Sequence, residues 1–251
     1  MIGGPKIHHE RRRELGKAFE DGAEHYNEVR PGYPLEIAQW LVPEGARRAA
    51  DLGAGTGKFT ARLVELGLEV SAVDPSDDML MQLRLVLPTV SSYLGTAEST
   101  GLSAQTFQVV TVAQAWHWVD PHLASEEVAR ILTPGGVLGL VWNQLDTTIP
   151  WVHRLSRIMH AGDVLKPDFR PAVGSEFAAL ESLTIHWADP LTPVGIIELA
   201  KSRSFYLSAN DKSRERMLHN LHWYLYEHLG YSPTDSVHLP YRCHAWRTLK
   251  L

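Results

Sequence analysis

The stretch Asp51-Leu52-Gly53-Ala54-Gly55-Thr56-Gly57 constrains this chain more tightly than any other. Its three alternate glycines carry no side chain, so the backbone can turn sharply there and a ligand can approach the main chain itself. The residues before it, 46–52, end in an apolar run of strand length. After it, Phe59, Leu63, Leu66 and Leu68 recur close to helical spacing. A second apolar strand, Leu68 to Val73, then closes on Asp74, a carboxylate suited to accept from both hydroxyls of a ribose. Bend and acid together imply a nucleoside-bearing cofactor.

Spacing separates the ligands that use glycine bends. A Walker A loop needs Gly-x-x-x-x-Gly-Lys-Ser/Thr. Here the position five before Gly57, where the motif needs its first glycine, is Leu52, and the residue after Lys58 is Phe59. A dinucleotide fingerprint needs Gly-x-Gly-x-x-Gly, and Lys58 stands where its last glycine would be. Asp51 also precedes the bend. A carboxylate there repels a pyrophosphate and attracts an ammonium group, directly or through water.

Asp51-x-Gly53-x-Gly55-x-Gly57 with Asp74 resembles the class I S-adenosylmethionine-dependent methyltransferases, in their broad type 11 branch. Further motifs fall in that branch's order: Tyr26-x-x-x-Arg30-Pro31-x-Tyr33-Pro34, Gly95-Thr96-Ala97-Glu98, Ala113-Gln114-Ala115-Trp116-His117-Trp118 and Leu132-Thr133-Pro134-Gly135-Gly136. The likeness spans about the first 145 residues, and more loosely the last strand. It implies a doubly wound, mostly parallel, seven-stranded Rossmann-like α/β sheet with an N-terminal helical lid and a helical insertion after the fifth strand.

The resemblance also implies roles. S-adenosyl-L-methionine is the cofactor and S-adenosyl-L-homocysteine its product. Gly53, Ala54, Gly55 and Gly57 would pack against the methionine part, with Asp51 holding the ammonium end. Asp74 would take the ribose, Pro75 and Met79 would line the adenine, and Ala97 and Glu98 would contact it. Ala113 and Gln114 would lie beneath the sulfonium. Tyr26 and Arg30 belong to the lid, where a guanidinium can grip the cofactor's carboxylate.

Around the acceptor, Tyr33, Trp116, Trp118, Trp142 and Asn143 are the substrate candidates. His117, between two tryptophans, is the candidate general base. The thirteen histidines include His8-His9, His219 with His222, and His228, but no convergent cysteine or carboxylate pattern for zinc accompanies them. No metal is expected. No Gly-x-Ser-x-Gly elbow points to hydrolysis.

Strands are expected near 47–52, 69–73, 90–94, 107–113, 136–142, 180–188 and 242–248. Helices are expected across 13–41, broken by Arg30 to Pro34, and near 57–67, 76–86, 121–132, 150–165, 193–207 and 211–229. Alternation of this kind argues for a parallel sheet. One domain is expected: lid 1–45, cofactor core 46–143, substrate cap 144–215, last helix and strand 216–251. A net charge of −5 argues against general polyanion binding, the basic run Lys6 to Arg13 being read as a solvated arm. The single Cys243 and the lack of a secretory or membrane-spanning run suit a cytoplasmic protein, monomer or homodimer, whose partner is a small molecule rather than nucleic acid or membrane. The aromatic and apolar content of 13–35 and 144–215 suits a small, partly hydrophobic acceptor, methylated on O, N or C. A non-catalytic S-adenosylmethionine-binding regulator and a nicotinamide-dependent oxidoreductase are the rival readings.

Overall fold

A computed structural model describes residues 30–161, 165 and 168–251. Tyr26, the run Lys6 to Arg13 and most of the expected lid lie outside the described residues. Seven strands form one sheet: β1 (Arg48–Leu52), β2 (Glu69–Asp74), β3 (Ser91–Leu94), β4 (Phe107–Ala113), β5 (Leu132–Leu145), β6 (Glu181–Leu191) and β7 (Val237–Leu249). Their order is β3-β2-β1-β4-β5-β7-β6. The first five run parallel, and β7 is antiparallel to both neighbours. The order reverses beside β1, which places a crevice at the carboxyl ends of β1 and β4.

Burial explains the strand compositions. β1 and β4 are covered on both faces and read as near-continuous apolar runs. β6, at the edge, alternates between half-buried and exposed. On one face lie α1 (Leu35–Leu41), α2 (Thr60–Glu65) and α3 (Asp77–Val86), their Leu41, Leu63 and Leu83 packed with Ala49, Val109 and Val141. On the other, α4 (Pro121–Ile131) packs Val128 and Ile131 against Val110 and Leu138. Local chemistry sets the helix starts. Asp120 accepts from the His122 and Leu123 amides ahead of Pro121, and Ser76 accepts from Met79.

A third apolar cluster sits over the carboxyl ends of β5 and β6 and the start of β7. There α5 (Pro150–Ile158), α6 (Pro193–Lys201), α7 (Ser204–Ser208), α8 (Asp211–His222) and a π-helical turn, Trp223–His228, bury Leu155, Ile196, Leu221 and Tyr224 against Leu145 and Leu239. The stretch expected as a helical cap, 144–215, therefore also holds the sheet strand β6, and the helical covering continues to His228.

Several boundaries differ from expectation. The helix expected over 150–165 ends at Ile158. The one over 193–207 divides at Ser202 and Arg203, and the last strand starts five residues early. Pro134-Gly135-Gly136, at the start of the strand expected near 136–142, is an irregularity inside a longer β5. Leu132 pairs with Phe107 and Val137 with Val109, so the residues between bulge out. Tertiary pairing extends strands that local propensity would stop.

Candidate active site

The glycine bend joins β1 to α2 at the sheet's crevice. Gly53, Gly55 and Gly57 all have positive φ, of 65°, 55° and 86°. The structure separates their reasons. A β-carbon at Gly53 would lie 2.5 Å from that of Ala115, so the bend must be bare there to pass the turn after β4. At Gly57 it would meet Leu83 and Leu87 of the α3 region. At Gly55 it would meet nothing within 4 Å among the described residues. Gly55 is thus the member whose open side can admit a ligand.

Asp74 is the link between the two cofactor motifs. Its Oδ2 accepts the Gly55 amide at 2.8 Å and its Oδ1 accepts the Ser76 amide at 2.9 Å. The carboxylate is thereby fixed beside the bend with a lone pair left on each oxygen. Burial raises its pKa, and the two amides act in the opposite direction. Pro75 is exposed beside it, and Met79 is buried at the start of α3.

Asp51 is 1% exposed. Thr60 Oγ1 donates to its Oδ2 at 2.6 Å and Thr111 Oγ1 to its Oδ1 at 2.8 Å. This clasp ties β1 to α2 and β4 beneath the bend. Burial pushes the acid up to about 6, against the pull of the two threonines. Any attraction it exerts on an ammonium group therefore acts from under the loop. Thr60 and Thr111 were not singled out from the sequence, where nothing distinguishes them from other strand and helix threonines. Thr56, inside the bend, keeps a buried hydroxyl without a hydrogen-bond partner among the described residues.

Gln114, just past β4, has a φ of 56°, a conformation uncommon for any residue but glycine. Its Nε2 donates to the Asn143 carbonyl at 2.6 Å. Asn143 in turn donates from Nδ2 to the Gly32 carbonyl at 3.0 Å and accepts from Trp187 Nε1 at 2.9 Å. Asn143 is therefore a junction binding β4, β5, β6 and the entering N-terminal segment. Trp187 escaped sequence reading because an aromatic in an edge strand carries no special signal. Arg30 Nη2 donates to the Ser202 carbonyl at 2.8 Å, at the carboxyl end of α6, and Tyr33 packs edge-on to Phe59 at 5.1 Å. Residues 30–34 thus cross from the cap to the glycine bend.

Other candidates are corrected. Trp116 and Trp142, both substrate candidates, lie in the core, 5% and 3% exposed. Trp116 Nε1 donates to the Ala172 carbonyl, and Trp142 meets Phe169 and Trp246 edge-on. Burying an indole in apolar packing stabilises the sheet more than leaving it at a wet rim. Glu98 accepts the Asp120 amide at 2.9 Å, so it also anchors the start of α4. Ala97 is core, and Ala113 and Ala54 are partly buried at the crevice. His117 and Trp118 remain exposed on the short 3₁₀ turn after β4, their rings 4.8 Å apart.

Two further groups frame the crevice. Lys58, following the bend, and Asp189, near the end of β6, are each half-buried and act on one another's charge. Burial lowers the lysine and raises the aspartate, and each opposes the other's shift. Tyr241 stacks on Trp187 at 5.2 Å, and its hydroxyl is buried without a hydrogen-bond partner among the described residues. Among the described residues no group of three or more His, Cys, Asp or Glu could hold a metal, and no helix is long and apolar enough to cross a membrane.

A methyltransferase domain model matches residues 50–140, the segment from the glycine bend through β5's core. The chain is 42% identical over 231 residues to an uncharacterized methyltransferase of Mycobacterium tuberculosis, covering 92% of this chain and 94% of that one. An uncharacterized methyltransferase-like protein of Schizosaccharomyces pombe is 32% identical, over 80% of this chain and 83% of its own length. In fold, the chain is similar to a protein assigned as a type II methyltransferase from Anaeromyxobacter dehalogenans (TM-score 0.58, 23% identity, 88% and 96% coverage). It is also similar to Haemonchus contortus phosphoethanolamine N-methyltransferase 2, solved in complex with S-adenosyl-L-methionine (TM-score 0.54, 16% identity, 99% and 61% coverage). With the bend, its carboxylate and the sheet order in place, the chain belongs to the class I S-adenosylmethionine-dependent methyltransferases.

Proposed function

We propose that this protein is an active enzyme that transfers a methyl group to a small-molecule acceptor. The observation that carries the reading is the bond from the Gly55 amide to Asp74. It holds a ribose-type acid against the one bare position of the bend that faces open space. When bound, S-adenosylmethionine supplies a methyl group already activated on a sulfonium.

The chain's own task is then to bind, align and dry the reactants. Asp74 would bind the ribose hydroxyls, Met79 and Ala97 would border the adenine, and Gly53 to Gly57 would bring backbone to the methionine part. Gln114, held by Asn143, would set the floor beneath the methyl. Arg30 and residues 31–34 would cover the crevice from the cap side. The acceptor would enter between the bend and the cap, where Tyr33, Lys58 and Asp189 supply polar handles beside Trp187. Polar groups set in an aromatic wall suit a small acceptor carrying a hydroxyl, carboxyl or amine. His117, exposed at the mouth, is the residue available to take a proton from it. A cytoplasmic enzyme acting as monomer or homodimer fits this reading.

Calorimetry with S-adenosylmethionine, S-adenosylhomocysteine and NADH tests the cofactor, and binding of NADH alone would overturn the proposal. A radiolabelled methyl-transfer screen over small acids, phenols and amines tests the reaction. Tight cofactor binding with no acceptor ever labelled would instead favour a regulator.

A further inference from the structure

α5 and α8 border a groove of about 540 Å³ whose lining includes Arg154, Arg157, His160, Phe205, Lys212 and Arg216. It shares no residue with the glycine bend. Four of its side chains are permanently or ordinarily cationic, and among the described residues no carboxylate lines it, on a chain whose net charge is −5. The cations repel one another within each helix, because Arg154 and Arg157 stand three apart and Lys212 and Arg216 four apart. Glu215, between Arg214 and Arg216 on α8, is exposed and is not among the groove's lining residues. Asp211, 3.7 Å from Arg214, pairs there, and α5 contains no acidic residue at all.

The groove is also organised. The Arg154 guanidinium lies 5.1 Å over Trp223 and 5.2 Å over Tyr224, with Nη1 3.5 Å from His228 Nε2. Asn210 Oδ1 accepts from Ser213 and starts α8 at the groove's edge. At one end His160 stacks on Phe205 at 3.8 Å and 19°, and His160 holds a φ of 48° to do so. The His160 ring is exposed, so its outer face can take a further flat ring. A cluster of like charges beside an aromatic stack is stabilised by a ligand that brings phosphate and a base together.

We propose that this groove is a second ligand site for a nucleoside polyphosphate. Arg157, Lys212 and Arg216 hold the phosphates and the His160–Phe205 pair receives the base. The test is calorimetry of the full chain, saturated with S-adenosylhomocysteine, using ADP, pyrophosphate and adenosine as probes, with the Arg157→Glu/Arg216→Glu double variant alongside. Both arginines are exposed, so the variant is expected to keep its circular dichroism and its affinity for S-adenosylhomocysteine. ADP should bind, more weakly at higher salt, and at least about tenfold more weakly to the variant. Pyrophosphate should bind less tightly than ADP, and adenosine not measurably. No binding of ADP at low salt, or equal affinity in the variant, would overturn the site. Pyrophosphate binding as well as ADP would overturn the role of the ring pair. Failure of S-adenosylhomocysteine to bind would count against the cofactor reading alone.

Discussion

Replacing Asp51 with asparagine should make the protein more stable and a poorer cofactor binder. The carboxylate is buried and has been raised from an ordinary 3.8 to about 6, with desolvation the main cause. A raised acid binds its proton more tightly when folded than when unfolded. The favourable contribution is therefore complete below about pH 4 and lost as pH rises through about 6. At about 1.36 kcal/mol per pH unit, keeping Asp51 ionised above that range costs about 3 kcal/mol. Asparagine removes the charge yet can keep the clasp. Its oxygen accepts from Thr60 and its amide donates to Thr111, whose hydroxyl already lies 3.5 Å from the Ala50 carbonyl and can turn to it. Exchanging charged for neutral hydrogen bonds returns about 1 kcal/mol, so the net gain at pH 8 should be about 2 kcal/mol. Urea denaturation of both proteins at pH 8 and pH 5 measures it. The advantage should shrink by about 1.4 kcal/mol at pH 5, where native Asp51 is largely protonated. A variant no more stable at pH 8, or an advantage that ignores pH, would refute the argument that burial of this charge opposes folding.

The other tests follow from the same geometry. Gly55→Ala should fold at a cost of about 1 kcal/mol for its positive φ, yet lose cofactor binding, whereas Gly53→Ala should lower the melting temperature sharply by striking Ala115. Equal stability of the two variants would contradict this division. Asp74→Ala should weaken cofactor binding about a hundredfold, two charged hydrogen bonds to hydroxyls being worth about 3 kcal/mol together; calorimetry reads it, and unchanged affinity would remove the ribose role. Asn143→Ala unmakes the bonds to Gly32 and Trp187, and should lose about 2 kcal/mol in urea denaturation and raise proteolysis at residues 30–34. His117→Ala should leave stability unchanged because the side chain is exposed, and lower methyl transfer about a hundredfold for an acceptor that must lose a proton. An unchanged rate with such an acceptor would remove His117 from the chemistry.

Much of the cofactor side could be read in advance because its signals are local. A positive φ at Gly53, Gly55 and Gly57 favours glycine wherever the chain later packs, and Asp74 ends the next strand. The strand and helix periods likewise reveal five parallel strands, since each element's burial pattern is written within its own length. Trp116 and Trp142 misled for the complementary reason. A tryptophan at a strand's end reads the same whether it faces a cleft or a core, and only the loop around Ala172 and the rings of Phe169 and Trp246 decide it.

What the chain's order of residues determined alone was a bare bend, an acid at the end of the next strand and an alternation that favours a parallel sheet. What tertiary structure decided was every contact between distant segments. Thr111 reaches Asp51 across 60 positions, Trp187 reaches Asn143 across 44, and two basic helices come to border one groove. Periodicity states which way a side chain points relative to its own element. Which other element lies in that direction is settled only by the packing of all of them at once.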